Sequence, residues 1–440
     1  MSDLPVAVIG AGPIGLAAAA HLRSRGIDAL VLEAGDRAGA SVREWAHIRL
    51  FSPWRELTDP QAVALLVERG WHAPDGDRYP SGGEWADAYL QPLADSLGSV
   101  VRYGARVTGV ARRGRDRLVD SGRDSDAFTV HVSGPAGDER IAARAVVDAS
   151  GTWTNPNPLG GDGLSALGES SAVVEYRVPD LQAPATRERY AGKHIAVAGT
   201  GASAMTTLIA IADLAHDAPG TTVSWLVRRA STADAFGGGE NDQLVERGAL
   251  GLRAQQAVDT DHIRAFTGFR TNTLTHHDGR VDLESFDGQH IEEVDEIIAV
   301  TGFRPDLSYL SEIRLDLDPV LESPRALAPL IDPNVHSCGT VYPHGANELA
   351  QPESGFYLVG MKSYGRAPSF LAMTGYEQAR SVAAAIAGDH EAAERVELTL
   401  PETGVCGGAG LFDEPDSSSA GSCCSTAPND LLAIGGTMDK

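Results

Sequence analysis

The chain has 440 residues, a formal net charge of −24 and an ordinary apolar content of 42%. That length supports two or three domains with cores of their own, and that charge argues against nucleic acid or an anionic membrane as partner. No run is apolar for long enough to span a bilayer, the start has no basic region ahead of its apolar run, and four cysteines are too few for a disulfide framework, so a soluble protein of a reducing cytoplasm is expected.

The first element is "PVAVIGAGPIGLAAAAHLRSRGIDALVLEAGD", which reads as strand, turn, helix, strand. Gly10 allows the tight turn, Gly12 lets the backbone approach a pyrophosphate, and Gly15 lets the helix pack closely on the strand. The second strand ends at Glu33, placed to accept from both ribose hydroxyls of an adenosine. The helix N-terminus offers free N–H groups and a favourable dipole to an anion. An acid at Glu33 would repel a 2′-phosphate, so this site suits FAD or NAD.

Next comes "REWAHIRLFSPW", with Trp45, His47, Arg49, Phe51, Ser52 and Trp54 as candidates to line a substrate space. Two alternating runs, "VVRYGARVTGVA" and "FTVHVSG", flank the charged segment "RRGRDRLVDSGRDSDAF" (residues 112–128). That segment is expected as a solvated hairpin loop with its charges exposed.

The strand–turn–helix design returns in "IAVAGTGASAMTTL", with Gly199, Gly201 and Ala204 at the three loop positions. The strand after it, "TTVSWLVRRAS", ends not in an acid but in Arg228 and Arg229. Guanidinium forks match phosphate geometry, and an arginine at this position is the pattern that accommodates a 2′-phosphate, so NADPH is expected here. Beyond it, "GGGENDQL" offers Asn241, Asp242 and Gln243 to the substrate space.

Two such units, the second inserted in the first, resemble the two-dinucleotide-binding flavoproteins. The segments "VVDASGTWTNP" and "EIIAVTGFRPD" resemble that family's crossing strands between its FAD and NADPH domains, which places Gly151 and Gly302 at the cofactors. "YAGKHIAVAGTGASA" looks like the entrance to the NADPH domain of flavin-containing monooxygenases. The stretch before it, "SSAVVEYRVPDLQAPATRERYAGK", departs from them by lacking the Gly and His of their F-x-G-x-x-x-H-x-x-x-[YF] pattern, with Tyr176 at its end. "HIRLFSPW", "HSCGTVYPHGANEL", "GMKSYGRAPSFLAMTGYEQARSVAAAIAG" and "LPETGVC" resemble a subgroup of monooxygenase-like flavoproteins found with arsenic-resistance genes in actinobacteria.

The resemblance implies an α/β fold of two Rossmann-like domains, with the NADPH domain inserted in the FAD domain. The expected division is FAD domain 1–165 and 307–398, NADPH domain 166–306, and a flexible cysteine-containing tail 399–440. It also implies that the helix within "SFLAMTGYEQARSVAAAIAG" points its N-terminus at the flavin. The Gly-Asp pair that often precedes that helix is replaced by "GMKS", which makes Gly360 a cofactor contact and Lys362 a candidate flavin neighbour or, equally, a surface lysine. Flavin monooxygenases use an Asn or Arg at the oxygenated flavin or the nicotinamide, which singles out Arg49 and Asn241. "KSYGRAPSF" adds Tyr364 and Arg366. A homodimer is common in such proteins.

The cysteines separate enzyme classes. Cys338, Cys406, Cys423 and Cys424 form no CxxC or CxxxxC pair of the kind dithiol reductases hold beside the flavin. Oxygen chemistry or direct hydride transfer remains, with molecular oxygen and a small molecule as partners. The vicinal Cys423 and Cys424 suit capture of a soft ion such as trivalent arsenic or mercury, or transfer of electrons from a flavin. Otherwise they are inert thiols. "HSCGTVYPHG" holds His336, Cys338 and His344 but lacks a fourth ligand at an obvious spacing, so no metal site is expected, and Cys338 stands as a substrate-binding thiol. Three readings stay open: a monooxygenase acting on a soft sulfur, nitrogen or arsenic nucleophile, a reductase working through the tail cysteines, and a non-catalytic sensor of arsenic or redox state.

Overall fold

The computed structural model describes residues 4–239, 242, 244–333, 344–368 and 370–398. Asn241, Gln243, His336, all four cysteines and the expected tail lie outside the described residues.

Two five-stranded parallel sheets carry the architecture. Strands β1 (Val6–Ile9), β2 (Ala29–Leu32), β3 (Val101–Arg102), β4 (Arg106–Arg112), β5 (Phe128–Gly134), β6 (Gly137–Ala143) and β7 (Ala145–Asp148) come first. Then follow β8 (Val174–Glu175), β9 (His194–Ala198), β10 (Thr222–Val227), β11 (Ile263–Thr267), β12 (Thr271–His277), β13 (Arg280–Ser285), β14 (His290–Val294) and β15 (Glu296–Ala299), with β16 (Phe356–Leu358) last. The first sheet has the order β16-β7-β1-β2-β3 and the second β11-β10-β9-β15-β8. Every residue of the central strands β1 and β7 is buried because both faces are covered, and all are apolar except Asp148 at the end of β7.

The two units repeat one plan. In each, a strand, a glycine turn and a helix feed a parallel neighbour. A three-stranded antiparallel sheet follows, β4-β5-β6 in the first and β12-β13-β14 in the second. A return strand then pairs beside the strand that began the unit: β7 against β1, β15 against β9. The first core gathers Val6, Val8, Leu16 and Leu22 of the first strand and helix with Val382 of the helix Ala372–Ala387. The second gathers Ile195, Val197, Leu208, Trp225 and Ile298.

The two linkers between the sheets pair with each other. Asn157 donates its N–H to Gly302 O at 2.9 Å, Arg304 donates to Asn155 O at 3.0 Å, and the Asn157 amide and Thr301 hydroxyl bond across at 3.0 and 2.9 Å.

The 112–128 segment corrects part of an expectation: Arg113, Asp116, Arg117, Asp120 and Asp124 are exposed as expected, and two arginines are not. It does connect β4 to β5, but Arg112 and Arg123 are 3% exposed each rather than solvated. Their guanidiniums meet the buried Glu353 carboxylate at 2.7 and 2.6 Å. The rule that charge runs face water fails here because a partner more than 200 residues away neutralises both. No described helix is long and apolar enough to cross a membrane.

Candidate functional site

The turn after β1 is set by Gly10, whose φ of +98° only glycine adopts freely. The helix Pro13–Ser24 starts at Gly12 with no side-chain cap and no acid in its first turn, so its leading N–H groups remain available. A Cβ on Gly12 would meet nothing within 4 Å, so the backbone there stands bare to its surroundings. The Glu33 carboxylate accepts the N–H of Ala11 at 2.6 Å and of Gly35 at 2.7 Å, one on each oxygen. Each oxygen keeps a lone pair for a ribose hydroxyl.

The turn after β9 is built likewise. Gly199 has φ +130°, the helix Ala202–Asp217 starts uncapped at Gly201, and a Cβ on Gly201 would also meet open space. Past the end of β10, Arg228 stands with Arg229 and Arg270. Partial desolvation, and then the like charges of Arg229 and Arg270, hold the Arg228 pKa below its usual value. A cluster of guanidiniums at a strand end is suited to a dianionic phosphate.

The first turn and the start of the second unit's helix border one cavity of about 650 Å³. Gly10, Gly12 and Glu33 border it from the first unit, and Ala202, Ser203 and Thr206 from the second. Gly151, Gly302 and Gly360 border it from the linkers and the last segment. So do Phe370, Leu371 and Ala372, which bring in the uncapped N-terminus of the helix Ala372–Ala387. These features fit two dinucleotides: two bare helix ends for pyrophosphates, an acid at one strand end, cations at the other, and a third helix end toward the space between.

Of the expected substrate residues, Trp45, Arg49, Phe51 and Ser52 border the cavity. Arg49 is exposed and anchored through Nη1 to Tyr79 O at 2.6 Å. The other candidates are placed differently. Trp54 is buried in the first core, and His47 is turned to solvent. Tyr364 is buried, and Arg366 pairs with Glu322 at 3.0 Å. Asp242 is held by Arg247 at 2.6 and 2.8 Å, a local ion pair at the start of the helix Val245–Val258. His344 is buried and takes a hydrogen bond from the Gln378 amide at 2.8 Å. Lys362 is not a surface lysine: it is buried behind the cavity wall, with Nζ 2.8 Å from Asp148.

Sequence reasoning missed the walls contributed by the linkers. Trp153 stacks on Phe303 with ring centroids 4.7 Å apart, and both border the cavity. The Trp153 indole N–H and the Arg177 guanidinium both reach one Glu44 oxygen, at 2.9 and 3.1 Å. Their place in the crossing segments was the available signal.

The pyridine nucleotide-disulphide oxidoreductase family matches residues 7–325. A ferredoxin–NADP reductase of Gluconacetobacter diazotrophicus is 27% identical over 358 residues, covering 78% of this chain and 84% of its own. The indole-3-pyruvate monooxygenase YUCCA1 of Oryza sativa subsp. japonica is 30% identical over 205 residues, but the match spans only 45% of this chain and 42% of the rice protein. Among solved structures, the bacillithiol disulfide reductase Bdr from Bacillus cereus superposes with TM-score 0.64 at 20% identity, covering 88% of this chain and 99% of that one. A flavin-containing monooxygenase from Stenotrophomonas maltophilia gives 0.54 at 24% identity with the same coverage. These structural likenesses carry the fold. With both dinucleotide sites built as above, the chain belongs to the pyridine nucleotide-disulphide oxidoreductase family and is an oxidoreductase with FAD and NADPH as its cofactors.

Proposed function

We propose that this protein is an NADPH-consuming flavin monooxygenase of the arsenic-resistance-associated subgroup, acting on a soft nucleophile such as a trivalent arsenical, a thiol or an amine. One observation carries the reading: the first nucleotide turn and the first residues of the helix Ala202–Asp217 border a single cavity walled by Trp45, Phe51, Trp153, Phe303 and Phe370. The sequence adds that no CxxC or CxxxxC pair of the dithiol-reductase kind exists.

In this reading Gly10, Gly12, Gly15 and Glu33 hold FAD, and Gly199, Gly201, Ala204, Arg228 and Arg229 hold NADPH. The bound flavin supplies transfer of two electrons from NADPH to oxygen, one atom of which enters the acceptor lone pair while the other leaves as water. The aromatic walls keep bulk water from the space between the cofactors. The N-terminus of the helix Ala372–Ala387 offers N–H groups where negative charge builds during reduction. Arg49 presents its guanidinium at the cavity for an anionic group. Asn241 and Cys338, and the soft-ion role of Cys423 and Cys424, belong to segments outside the described residues.

The test is NADPH turnover in air with arsenite, phenylarsenous acid, thiols and amines, following labelled oxygen into the product. Acceptor-dependent turnover with one labelled atom in the product supports the reading. Turnover that ignores the acceptor and ends wholly in hydrogen peroxide sinks it. Turnover that Cys423→Ser/Cys424→Ser abolishes points instead to a reductase.

A further inference from the structure

The "GMKS" stretch puts a lysine where a buried charge is costly. Lys362 is 1% exposed, and Asp148, the last residue of β7, is 0% exposed. All three lysine donors are used: on Asp148 Oδ2 at 2.8 Å, Tyr309 Oη at 2.6 Å and Ser150 Oγ at 3.1 Å. Tyr309 donates to the same Asp148 oxygen at 2.6 Å, and the Ser150 hydroxyl lies 3.0 Å from the Tyr309 oxygen. The Ser150 N–H reaches the other carboxylate oxygen at 3.1 Å. Ser150 and Tyr309 border the cavity, and the ion pair stands directly behind them.

The same wall includes the flavin-facing helix, because Gln378 of that helix accepts the Gly360 N–H at 2.7 Å. Asp306 is the other charged group toward the pair and also borders the cavity. Replacing a buried ion pair by apolar side chains is often neutral or stabilising, so such a pair is weak as a source of stability. The Arg112–Arg123–Glu353 cluster is the contrast within the molecule. It is equally buried, yet none of its members borders the cavity.

We propose that Lys362 and Asp148 are positioning residues for the flavin. As an ammonium–carboxylate pair they fix Ser150 and Tyr309 in the cavity wall beside the bound cofactor and balance the charge at that end of the cavity. The inference rests on FAD binding in this cavity.

The experiment measures the midpoint potential and the dissociation constant of FAD in the full-length holoprotein. Lys362→Met leaves Asp148 uncompensated and lowers the potential. Asp148→Asn leaves the ammonium uncompensated and raises it. Shifts of opposite sign are the signature of charge beside the flavin, which a purely structural role does not produce. Tyr309→Phe with Ser150→Ala leaves the pair and the fold in place and weakens FAD binding about tenfold, which keeps the test decisive if the charge variants fail to fold. Arg123→Met serves as the control, reducing stability without moving the potential. Equal-sign shifts, or unchanged potential and affinity across the set, overturn the inference. A wild-type protein that takes up no FAD overturns the cofactor assignment itself.

Discussion

The two nucleotide turns share a backbone and differ in what surrounds it. Their N-caps are nearly superposable, Gly12 at φ −77°, ψ −177° and Gly201 at φ −84°, ψ −178°. At the third position they part. A Cβ on Gly15 would lie 2.0 Å from Gly10 O, whereas Ala204 carries its methyl group in full burial. They part again at the end of the next strand, where one has Glu33 and the other Arg228 and Arg229. In the proposed reading the turn offers an anion site in both units, and the strand end selects which nucleotide enters it.

The largest effect that could break this comparison lies at the third position. Gly15→Ala drives a methyl group into a backbone oxygen that cannot swing away, so the helix must shift. The expected loss is about 3 kcal/mol of stability together with the bound flavin. Ala204→Gly, the mirror change, costs about 1 kcal/mol of helix propensity and leaves the flavin in place. Thermal unfolding and the flavin absorbance of the purified variants decide between them. Equal losses at both positions would mean that the two helices pack on their turns alike.

The antiparallel sheets extend the comparison, since each unit secures its own differently. In the first, Arg112 and Arg123 close on Glu353, all buried. In the second, Arg280 pairs with Glu293 and Asp295, and His277 with Asp282, all exposed or half-buried. Arg123→Met leaves Glu353 with one partner and costs about 2 kcal/mol, while Arg280→Met leaves the melting temperature unchanged within error. The pH dependences run in opposite directions. Burial alone would raise the Glu353 pKa, but hydrogen bonds from Arg123 and Arg112 outweigh it and hold it below the usual value. Its contribution is present above about pH 4.3 and is lost as the pH falls through the folded value. The hydrogen bond with Asp282 raises the His277 pKa, so its contribution is present below about pH 6.5 and fades as the pH rises through the folded value. Melting temperature against pH, for wild type and Glu353→Gln, reads the first limb directly.

These contrasts mark what was legible in the sequence. The turns and their helices follow from local spacing, because a strand, three small residues and a helix are contiguous, and the same spacing singles out Glu33 and Arg228 at the strand ends. The paired linkers also announced themselves through "DASG" and "VTGF". Partners distant in the chain did not. Nothing near residue 112 or 123 points to Glu353, and nothing near Lys362 points to Asp148 or Tyr309. Periodicity reports which face of an element is buried, but not which charge waits on a segment hundreds of residues away. The aromatic walls were ambiguous for a related reason. Trp45 and Trp54 sit in one short stretch, yet one borders the cavity and the other fills the core.

The smallest effect sharpens the comparison where it bears on function. Replacing Arg228 and Arg229 together by Ala removes two of the three cations at the end of β10 without touching the turn. A 2′-phosphate lies far from the reacting end of its nucleotide, so these residues contribute uniform binding, and their loss should raise the KM for NADPH while leaving kcat as it was. A charge-assisted contact of this kind amounts to about tenfold in KM. NADH has no group for them to hold, so its KM should stay put, and the preference for NADPH should narrow by the same factor. Raising the ionic strength on the wild type should mimic part of the change, because screening weakens the phosphate contact and spares NADH. If both nucleotides lose affinity together, the arginines serve the packing of the strand end, and the selectivity assigned to them belongs elsewhere in the second unit.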